Sequence, residues 1–249
     1  MKPAVGNPAP ELSILVSCFN QAEILEPTLL ETFRVVGEHV QSFETVIIND
    51  GSTDGSVRIL DRLRKLFPHL RVTHQLHSGR PRAVRRAYDI ARGDYLFQVD
   101  LSQPESIQDF PRFWEMRDRY SLILGFHPSR GGFARRGLAW LQRRWIQLWF
   151  GAELTEPEAH YRLCRRDRAL SYLLQIPGNF EGVDLGMTLA AYRDSPRQIL
   201  ELEVGAGTQV SLVPLRSQFG TFLHYFMEIA RIRWRRPRVF QIENSPQSA

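Results

Sequence analysis

The chain has 249 residues, of which 43% are hydrophobic and 24% are charged. These proportions are typical of a soluble globular protein and argue against wholesale disorder. The formal charge of +5 and the pI of about 9.5 favour anionic partners, namely nucleic acid, anionic lipid or a phosphorylated small molecule. Cys18 and Cys164 form no CxxC pair and no zinc spacing, so a structural metal or a disulfide framework is not expected.

Membrane-spanning and secretory segments are not predicted. No window reaches the roughly 18 consecutive apolar residues that a membrane span needs. The N-terminal stretch lacks the apolar region of a signal peptide, and residues 1–11 are predicted to be a flexible leader. We therefore expect the protein in the cytoplasm or at the cytoplasmic face of the membrane.

The first half of the chain alternates short apolar runs with amphipathic helical patterns. The predicted strands are Leu12–Ser17, Glu44–Asn49, Arg71–Leu76, Tyr95–Asp100 and Ser121–Phe126, and the predicted helices are 24–38, 55–67, 80–92 and 106–120. Continuous apolar strands between such helices imply a parallel sheet that is covered on both faces. The sequence therefore predicts a doubly wound α/β domain with ligands beyond the carboxyl ends of its strands.

The second half of the chain is more basic and aromatic. A helical pattern over 133–151 sets Leu138, Leu141, Trp145, Leu148 and Trp149 on one face and Arg136, Arg143 and Arg144 on the other. Such helices lie in membrane interfaces, but a core-packing helix with a solvated basic face, or a partner contact, has the same pattern. A strand over 199–204, a C-terminal amphipathic helix over 213–240 and a mobile polar tail over 241–249 complete the prediction.

Two aspartates follow predicted strands directly. Asp50 ends the run that begins at Glu44, and Asp100 ends the run that begins at Tyr95. Both carboxylates should therefore reach the edge of the sheet where ligands bind, and Asp50 could accept hydrogen bonds from a base or ribose. Capping of the next turn or helix is the alternative role.

Ordered motifs give the chain a resemblance to a known family. They are "VSCFNQ" at 16–21, "NDGSTDG" at 49–55, the series Gly79, Ala83 and Ala87, and "ARGDYLFQVD" at 91–100. Together they resemble the family 2 glycosyltransferases, inverting nucleotide-sugar enzymes of GT-A fold. The resemblance covers 12–126, and "HYRLCRRDRAL" at 160–170 more loosely resembles the polyprenyl-phosphate glycosyltransferase branch. It implies a GT-A domain over 12–212, with a nucleotide-binding half at 12–126 and an acceptor half at 127–212.

The resemblance also implies site residues. The nucleotide-sugar pocket would comprise Ser17, Phe19, Asn20, Asp50, Gly51, Gly79 and Arg80. Asp100 would be the first acid of the family's D-x-D motif and would contact a divalent cation, Mg²⁺ or Mn²⁺, on the donor diphosphate. The second acid of that motif falls on Ser102, so Asp100 and Ser102 are the catalytic candidates.

The missing second acid leaves three alternatives open. Metal binds more weakly through Asp100 and the diphosphate, arginine neutralises the diphosphate instead, or transfer is reduced or lost. A shifted alignment would make Asp100 the second acid and Gln98 the lost first one, although the spacing from Gly93 favours the first alignment.

A lipid phosphate is already an anion, so as an acceptor it needs cations and a membrane surface rather than a general base. The basic, aromatic helical pattern over 133–151 and the resemblance of 160–170 to the polyprenyl-phosphate branch therefore predict polyprenyl phosphate as the acceptor. Candidate acceptor or phosphate contacts are Arg162, Arg165, Glu158, Glu181 and Asp184, with helix capping as the alternative for the last two. His77 and His160 look isolated, and neither is assigned a metal. The predicted function is glycosyl transfer; the alternative is a catalytically impaired relative that serves as a nucleotide- or lipid-binding partner module. Nucleic-acid binding rests on charge alone and is not expected.

Overall fold

The computed structural model describes residues 9–127, 133–178 and 180–205, without the side chains of 133–136, 138, 139, 142 and 149. The predicted C-terminal helix, the tail and most of the predicted leader lie outside these residues, and the domain boundaries stay a prediction. The strands are β1 (Leu12–Cys18), β2 (Phe43–Asp50), β3 (Leu70–Gln75), β4 (Tyr95–Val99), β5 (Leu122–Phe126), β6 (Tyr161–Arg165) and β7 (Ile199–Glu203). The α-helices are α1 (Ala22–Gly37), α2 (Ser56–Leu66), α3 (Arg80–Ile90), α4 (Phe110–Met116), α5 (Phe133–Phe150), α6 (Arg166–Leu174) and α7 (Val183–Asp194).

The seven described strands form one mostly parallel sheet in the order β3-β2-β1-β4-β6-β5-β7. β1 pairs in parallel with both β2 and β4, and β5 pairs in parallel with β7. β6 runs antiparallel to its neighbours β4 and β5. The predicted α/β class and mostly parallel sheet are confirmed. β6 was not predicted as a strand, because Arg162 and Arg165 interrupt its short apolar run.

Helices cover both faces of the sheet. Leu12, Ile14, Val16 and Cys18 alternate along β1 and pack into the main hydrophobic core, which also includes α1, α2 and α4 side chains. α3 contacts β1 and β2 and also packs against α6 and α7. This two-sided cover explains why the central strands are nearly continuous apolar runs, and it leaves the carboxyl ends of those strands as the place for a site.

A buried carboxylate joins the strands at the opposite edge of the sheet, where β1 and β4 begin. Glu44 accepts hydrogen bonds from Ser13 Oγ at 2.8 Å, from Arg71 Nη1 at 2.7 Å and from the Arg92 backbone N–H at 2.8 Å. A Cβ on Gly93 would lie 2.5 Å from the Ser13 nitrogen, so the close approach of these backbones requires glycine. The Arg-Gly part of the "ARGDY" motif therefore has a structural role.

Candidate active site

The carboxyl ends of β1, β2 and β4 lie side by side. Cys18 pairs with Asn49 across β1 and β2, and Val16 pairs with Val99 across β1 and β4. The loops that follow these strands, beginning at Phe19, Gly51 and Asp100, therefore meet at one edge of the sheet. This register confirms the prediction that Asp50 and Asp100 lie at the same edge of the sheet.

The loop after β1 is fixed to the loop after β2 by polar contacts. Asn20 has a positive φ of 51° and accepts a hydrogen bond from the Thr53 N–H at 2.8 Å through Oδ1. Asp54 accepts hydrogen bonds from the Ala22 and Ser56 N–H groups, at 2.9 Å each. The "FNQ" and "DGSTDG" motifs thus hold each other in place, and Asn20 acts by positioning the loop that carries Phe19.

An aromatic pair is exposed between these loops and the loop after β3. The rings of Phe19 and His77 are stacked, with centroids 4.3 Å apart, and both side chains are largely accessible to solvent. Gly51 makes room for the pair, because a Cβ there would lie 2.6 Å from the backbone nitrogen of His77. The φ of Gly51 is +73°, which also favours glycine. An exposed aromatic face of this kind suits a nucleobase. The sequence identified Phe19 but gave His77 no role.

The Asp50 carboxylate is buried and already hydrogen-bonded. Oδ1 accepts from Gln75 Nε2 at 2.7 Å and from the Ser78 N–H at 2.9 Å, while Oδ2 accepts from the Gly79 N–H at 2.8 Å. Burial alone would raise the pKa of Asp50, but these hydrogen bonds outweigh it and lower the pKa. These hydrogen bonds give Asp50 a role in positioning the loop that leads to α3. The predicted base or ribose contact stays a prediction.

Asp100 and Ser102 form a partly exposed acidic element of this edge. Asp100 Oδ1 accepts hydrogen bonds from the Ser102 N–H at 2.9 Å and from its hydroxyl at 2.7 Å. Oδ2 has no hydrogen-bond partner among the residues that the structure describes. Gln98, the residue that the shifted alignment would make the lost acid, is 2% exposed within β4. The first alignment is therefore the one that sets an acid at the edge.

This pair fits a divalent cation only with help from a ligand. The described part of the chain contains no group of three or more His, Cys, Asp or Glu side chains that could hold a metal ion. Asp100 Oδ2 and the lone pairs of the Ser102 hydroxyl are oxygen donors of the kind that Mg²⁺ accepts. Mg²⁺ commonly takes one or two carboxylates and completes its shell with phosphate oxygens and water. The donor set thus matches a cation that arrives with a diphosphate.

A second carboxylate, Asp184, lies buried near this edge and is surrounded by basic groups. Its Oδ2 is 2.6 Å from Arg80 Nη1 and 3.0 Å from His160 Nδ1, and its Oδ1 is 3.7 Å from Arg162 Nη2. Gln98 Nε2 donates to Oδ1 at 3.0 Å. Burial would raise the pKa of Asp184, but the charges of Arg80 and Arg162 and the hydrogen bond from His160 hold it well below the ordinary value.

The two arginines predicted to contact phosphate do not reach this edge. The Arg162 side chain is fully buried and donates to the backbone carbonyls of Ala159 and, at 2.9 Å, Asp184. Arg165 pairs with Tyr95 in the β4–β6 register, at the start of β4, and is therefore at the far edge of the sheet. This geometry gives the two predicted phosphate contacts no support, for different reasons. Arg162 is buried, whereas Arg165 lies at the far edge because β6 runs antiparallel to β4.

The remaining predicted residues are distributed along the same edge. Ser17 is half-buried on β1, and Gly79, with a φ of +92°, precedes α3, which begins at Arg80. Glu158 is half-buried in the segment before β6, and Glu181 is exposed just before α7. The role of His160 was not predicted from the sequence, because its partner Asp184 is 24 residues away. The only local indication was a polar residue directly before the apolar stretch "YRL".

The outer surface of α5 combines apolar and basic side chains. Trp140 and Leu148 are strongly exposed, at 64% and 68%, and Leu141 is also exposed. Arg144 lies one turn from both Trp140 and Leu148, and Arg143 is exposed as well. The predicted separation of apolar and basic faces therefore holds only in part, because Arg144 shares the exposed apolar side. None of the described helices is long and apolar enough to cross a membrane.

Comparison with known proteins gives a family match for the first part of the chain. Residues 13–102, about a third of the chain, match the sequence profile of Glycosyl transferase family 2. This family 2 segment contains the hydrogen-bonded loops after β1 and β2, the Phe19–His77 pair and the Asp100–Ser102 pair. The match confirms the resemblance that the motifs indicated.

Relatives of the family 2 segment are glycosyltransferases. The chain is 33% identical over 94 residues to the uncharacterized glycosyltransferase YibD of Escherichia coli, an alignment that spans 38% of this chain and 26% of YibD. It is 26% identical over 137 residues to an undecaprenyl-phosphate 4-deoxy-4-formamido-L-arabinose transferase of Pseudomonas savastanoi, over 54% of this chain and 39% of that protein. The chain thus matches well under half the length of these relatives.

A solved structure confirms the predicted GT-A type fold. Glucosyl-3-phosphoglycerate synthase from Mycobacterium tuberculosis, in complex with Mn²⁺, uridine diphosphate and phosphoglyceric acid, superposes with a TM-score of 0.68. The two chains are 17% identical, and the superposition covers 90% of this chain and 78% of the synthase. At that identity the likeness establishes the fold alone.

Proposed function

We propose that this protein is an inverting glycosyltransferase that moves a sugar from a nucleotide-diphosphate sugar to polyprenyl phosphate at a membrane surface. The observation that carries the proposal is the edge formed by β1, β2 and β4. Within a family 2 segment, it combines an exposed aromatic pair with a carboxylate that keeps one oxygen available. The lipid acceptor is supported by the undecaprenyl-phosphate transferase relative.

The donor is expected to lie across the ends of these strands. Its base would stack on Phe19 and His77, and its diphosphate would extend toward Asp100 and Ser102. Asp100 Oδ2 and the Ser102 hydroxyl would hold a divalent cation, Mg²⁺ or Mn²⁺, together with the diphosphate. When bound, the cation supplies positive charge to the diphosphate oxygens.

The transfer is a substitution at the anomeric carbon. An oxygen of the acceptor phosphate attacks that carbon from the side opposite the nucleotide, and the bond between the carbon and the diphosphate oxygen breaks. The electron pair of that bond leaves with the diphosphate. The configuration at the anomeric carbon is inverted because the acceptor oxygen enters on the side opposite the leaving group. No proton has to be removed from an ionised phosphate, and the protein's part is to orient both substrates and to stabilise charge.

The surface of α5 supports contact with a bilayer. Exposed tryptophan and leucine side chains beside arginine are the composition of helices that lie in the interface of anionic membranes. A polyprenyl phosphate keeps its tail in the bilayer and its phosphate at the surface. An interfacial helix next to the acceptor half would bring the site to that phosphate. Vesicle flotation with Trp140→Ser, compared with Leu174→Ser on the exposed end of α6, tests this contact.

The first experiment is thermal unfolding with nucleoside diphosphates and nucleotide sugars, in Mg²⁺, Mn²⁺ or EDTA. A ligand at about 100 times its Kd adds roughly 2.7 kcal/mol to the stability of the folded state. We expect a metal-dependent shift with one donor, and its loss in Phe19→Ala but not in Phe19→Tyr. Asp100→Ala should abolish transfer, whereas Asp89→Ala, a matched change on the exposed side of α3, should not. Transfer by purified Asp100→Ala would refute the role of Asp100.

The replacement of the second acid by Ser102 favours a second candidate, a non-catalytic module that binds nucleotide or lipid for a partner. This candidate predicts ligand-dependent stabilisation without turnover. Measurement of free sugar and glycosylated lipid with the stabilising donor separates the two functions.

A further inference from the structure

Two half-exposed basic side chains, Arg80 and His160, meet on one oxygen of Asp184. Arg80 Nη1 lies 2.6 Å and His160 Nδ1 lies 3.0 Å from Oδ2. The exposed fractions of the two side chains are 38% and 37%, whereas that of Asp184 is 7%. A buried carboxylate therefore fixes both basic groups on one side, while more than a third of each remains accessible to solvent.

The basic groups of this cluster outnumber its buried carboxylate. The guanidinium groups of Arg80 and Arg162 and the imidazole of His160 all lie within 4 Å of Asp184. Arg162 is fully buried and hydrogen-bonded to backbone carbonyls, so it adds field strength without reaching a ligand itself. The groups that can reach a ligand are the two half-exposed ones.

The end of β4 connects this cluster to Asp100. Gln98 pairs with Arg162 in the antiparallel β4–β6 ladder, and Gln98 Nε2 donates to Asp184 Oδ1 at 3.0 Å. Asp100 follows Gln98 by two residues, and alternate residues along a strand point to the same face of the sheet. The Arg80–His160 pair is thus beside the position proposed for the donor diphosphate and the reacting carbon.

We infer that Arg80 and His160, preorganised by Asp184, form a phosphate-binding pair and that its ligand is the phosphate group of the acceptor. Guanidinium and imidazolium N–H groups donate to phosphate oxygens in charge-assisted hydrogen bonds, and the imidazolium form of His160 carries an N–H on both Nδ1 and Nε2. His160 Nδ1 is engaged by Asp184, and within the described residues no group hydrogen-bonds its Nε2, so Nε2 is the nitrogen that meets the ligand. The inference rests on the proposed function. It replaces Arg162 and Arg165 as acceptor contacts, and it assigns Arg80 to the acceptor instead of the nucleotide-sugar pocket that the resemblance implied.

Calorimetric titration of the full chain tests the pair with two probes, uridine diphosphate alone and farnesyl phosphate in saturating uridine diphosphate. The variants are His160→Asn, whose amide can still donate to Asp184 but offers no second nitrogen, and Arg80→Gln. Arg165→Gln, at the far edge of the sheet, is the control for loss of charge. We expect each variant to bind farnesyl phosphate roughly tenfold to a hundredfold more weakly, the range of a charge-assisted hydrogen bond, with unchanged affinity for uridine diphosphate.

Imidazole ¹⁵N resonances provide a readout that a structural role would not change. Farnesyl phosphate should shift Nε2 of His160 and leave the Nδ1 hydrogen bond in place, whereas farnesol should shift neither. Weaker binding of uridine diphosphate alone would assign the pair to the donor and overturn the acceptor site. Unchanged binding of both probes, or no binding of farnesyl phosphate to the wild type, would also overturn it. Failure of the wild type to bind any nucleotide would instead contradict the proposed function.

Discussion

Replacement of Asp184 by asparagine is the sharpest test of the buried cluster. The substitution keeps the size of the side chain and removes its charge. Arg162, which is 0% exposed, would then keep its backbone hydrogen bonds but lose the only carboxylate that lies within 4 Å of it among the described residues. A buried charge without a counter-charge is unfavourable, so the folded state should be destabilised.

The expected loss is large compared with total stability. Removal of one partner from a buried ion pair costs about 3–5 kcal/mol, against about 5–15 kcal/mol for the unfolding of a typical domain. Because asparagine keeps an oxygen acceptor, we expect the lower end of that range, about 3 kcal/mol. Arg80 and His160 are more than a third exposed, so water compensates them and we assign them no separate loss.

Urea unfolding measures this loss, and α7 offers a matched control. Asp194, at the other end of the helix, forms an exposed pair with Arg168, so Asp194→Asn should cost less than about 1 kcal/mol. For a urea m value of about 2–3 kcal/mol/M, Asp184→Asn should lower the midpoint by roughly 1 M or more. Arg162→Met combined with Asp184→Asn should recover part of the loss. Equal effects of Asp184→Asn and Asp194→Asn would refute the reasoning.

Three further predictions concern pH, thiols and metal. The pKa values of Glu44, Asp50 and Asp184 are lowered in the folded state, so these groups contribute their full stability above the unfolded carboxyl pKa of about 4. That stability is lost as the pH falls through the folded pKa values, which acid titration of the free energy of unfolding should show. Glu44→Gln should make the free energy of unfolding less dependent on pH. Burial raises the pKa of Cys18 to about 11 and of Cys164 to about 12, so a thiol reagent at pH 8 should modify both in urea and neither in the native protein. Ser102→Asp should raise the Mg²⁺-dependent thermal shift with nucleotide; an unchanged shift would contradict the assigned metal position.

The strand ends could be predicted from the sequence because local patterns determine them. The apolar runs before Asp50 and Asp100 indicated buried strands, and the turn residues after them indicated a polar edge. Parallel strands between helices then required both carboxylates to share that edge, as the register confirms. These inferences needed only the periodicity of side chains and the two-sided cover of the sheet.

The roles of charged residues could not be predicted in the same way, because they depend on contacts between distant segments. Arg162 looked like a phosphate ligand, but β6 inserts antiparallel between β4 and β5 and buries it. His160 looked isolated because the residues it joins lie in α3 and α7. Asp50 is a predicted nucleotide ligand, and the sequence did not indicate that its oxygens also accept hydrogen bonds from β3 and the loop after it. A local sequence motif can locate an acidic residue at the edge of the sheet, but it does not show which group that residue contacts in the folded protein.

Asp100 and Asp184 illustrate how environment separates two acids at one edge. Asp100 keeps an oxygen without a partner in the described structure, so it can bind a cation. Asp184 is surrounded by cations and has a strongly lowered pKa, so it is a poor proton acceptor and a good anchor for basic groups. Under the proposed function, Asp100 would attract a cation to the donor, and Asp184 would hold Arg80 and His160 toward the acceptor. A second aspartate at position 102 would add a negative charge near Arg80 and His160. With Ser102 in its place, the positive charge of these two side chains acts on the phosphates of the proposed substrates instead. Serine at position 102 is consistent with activity for this reason.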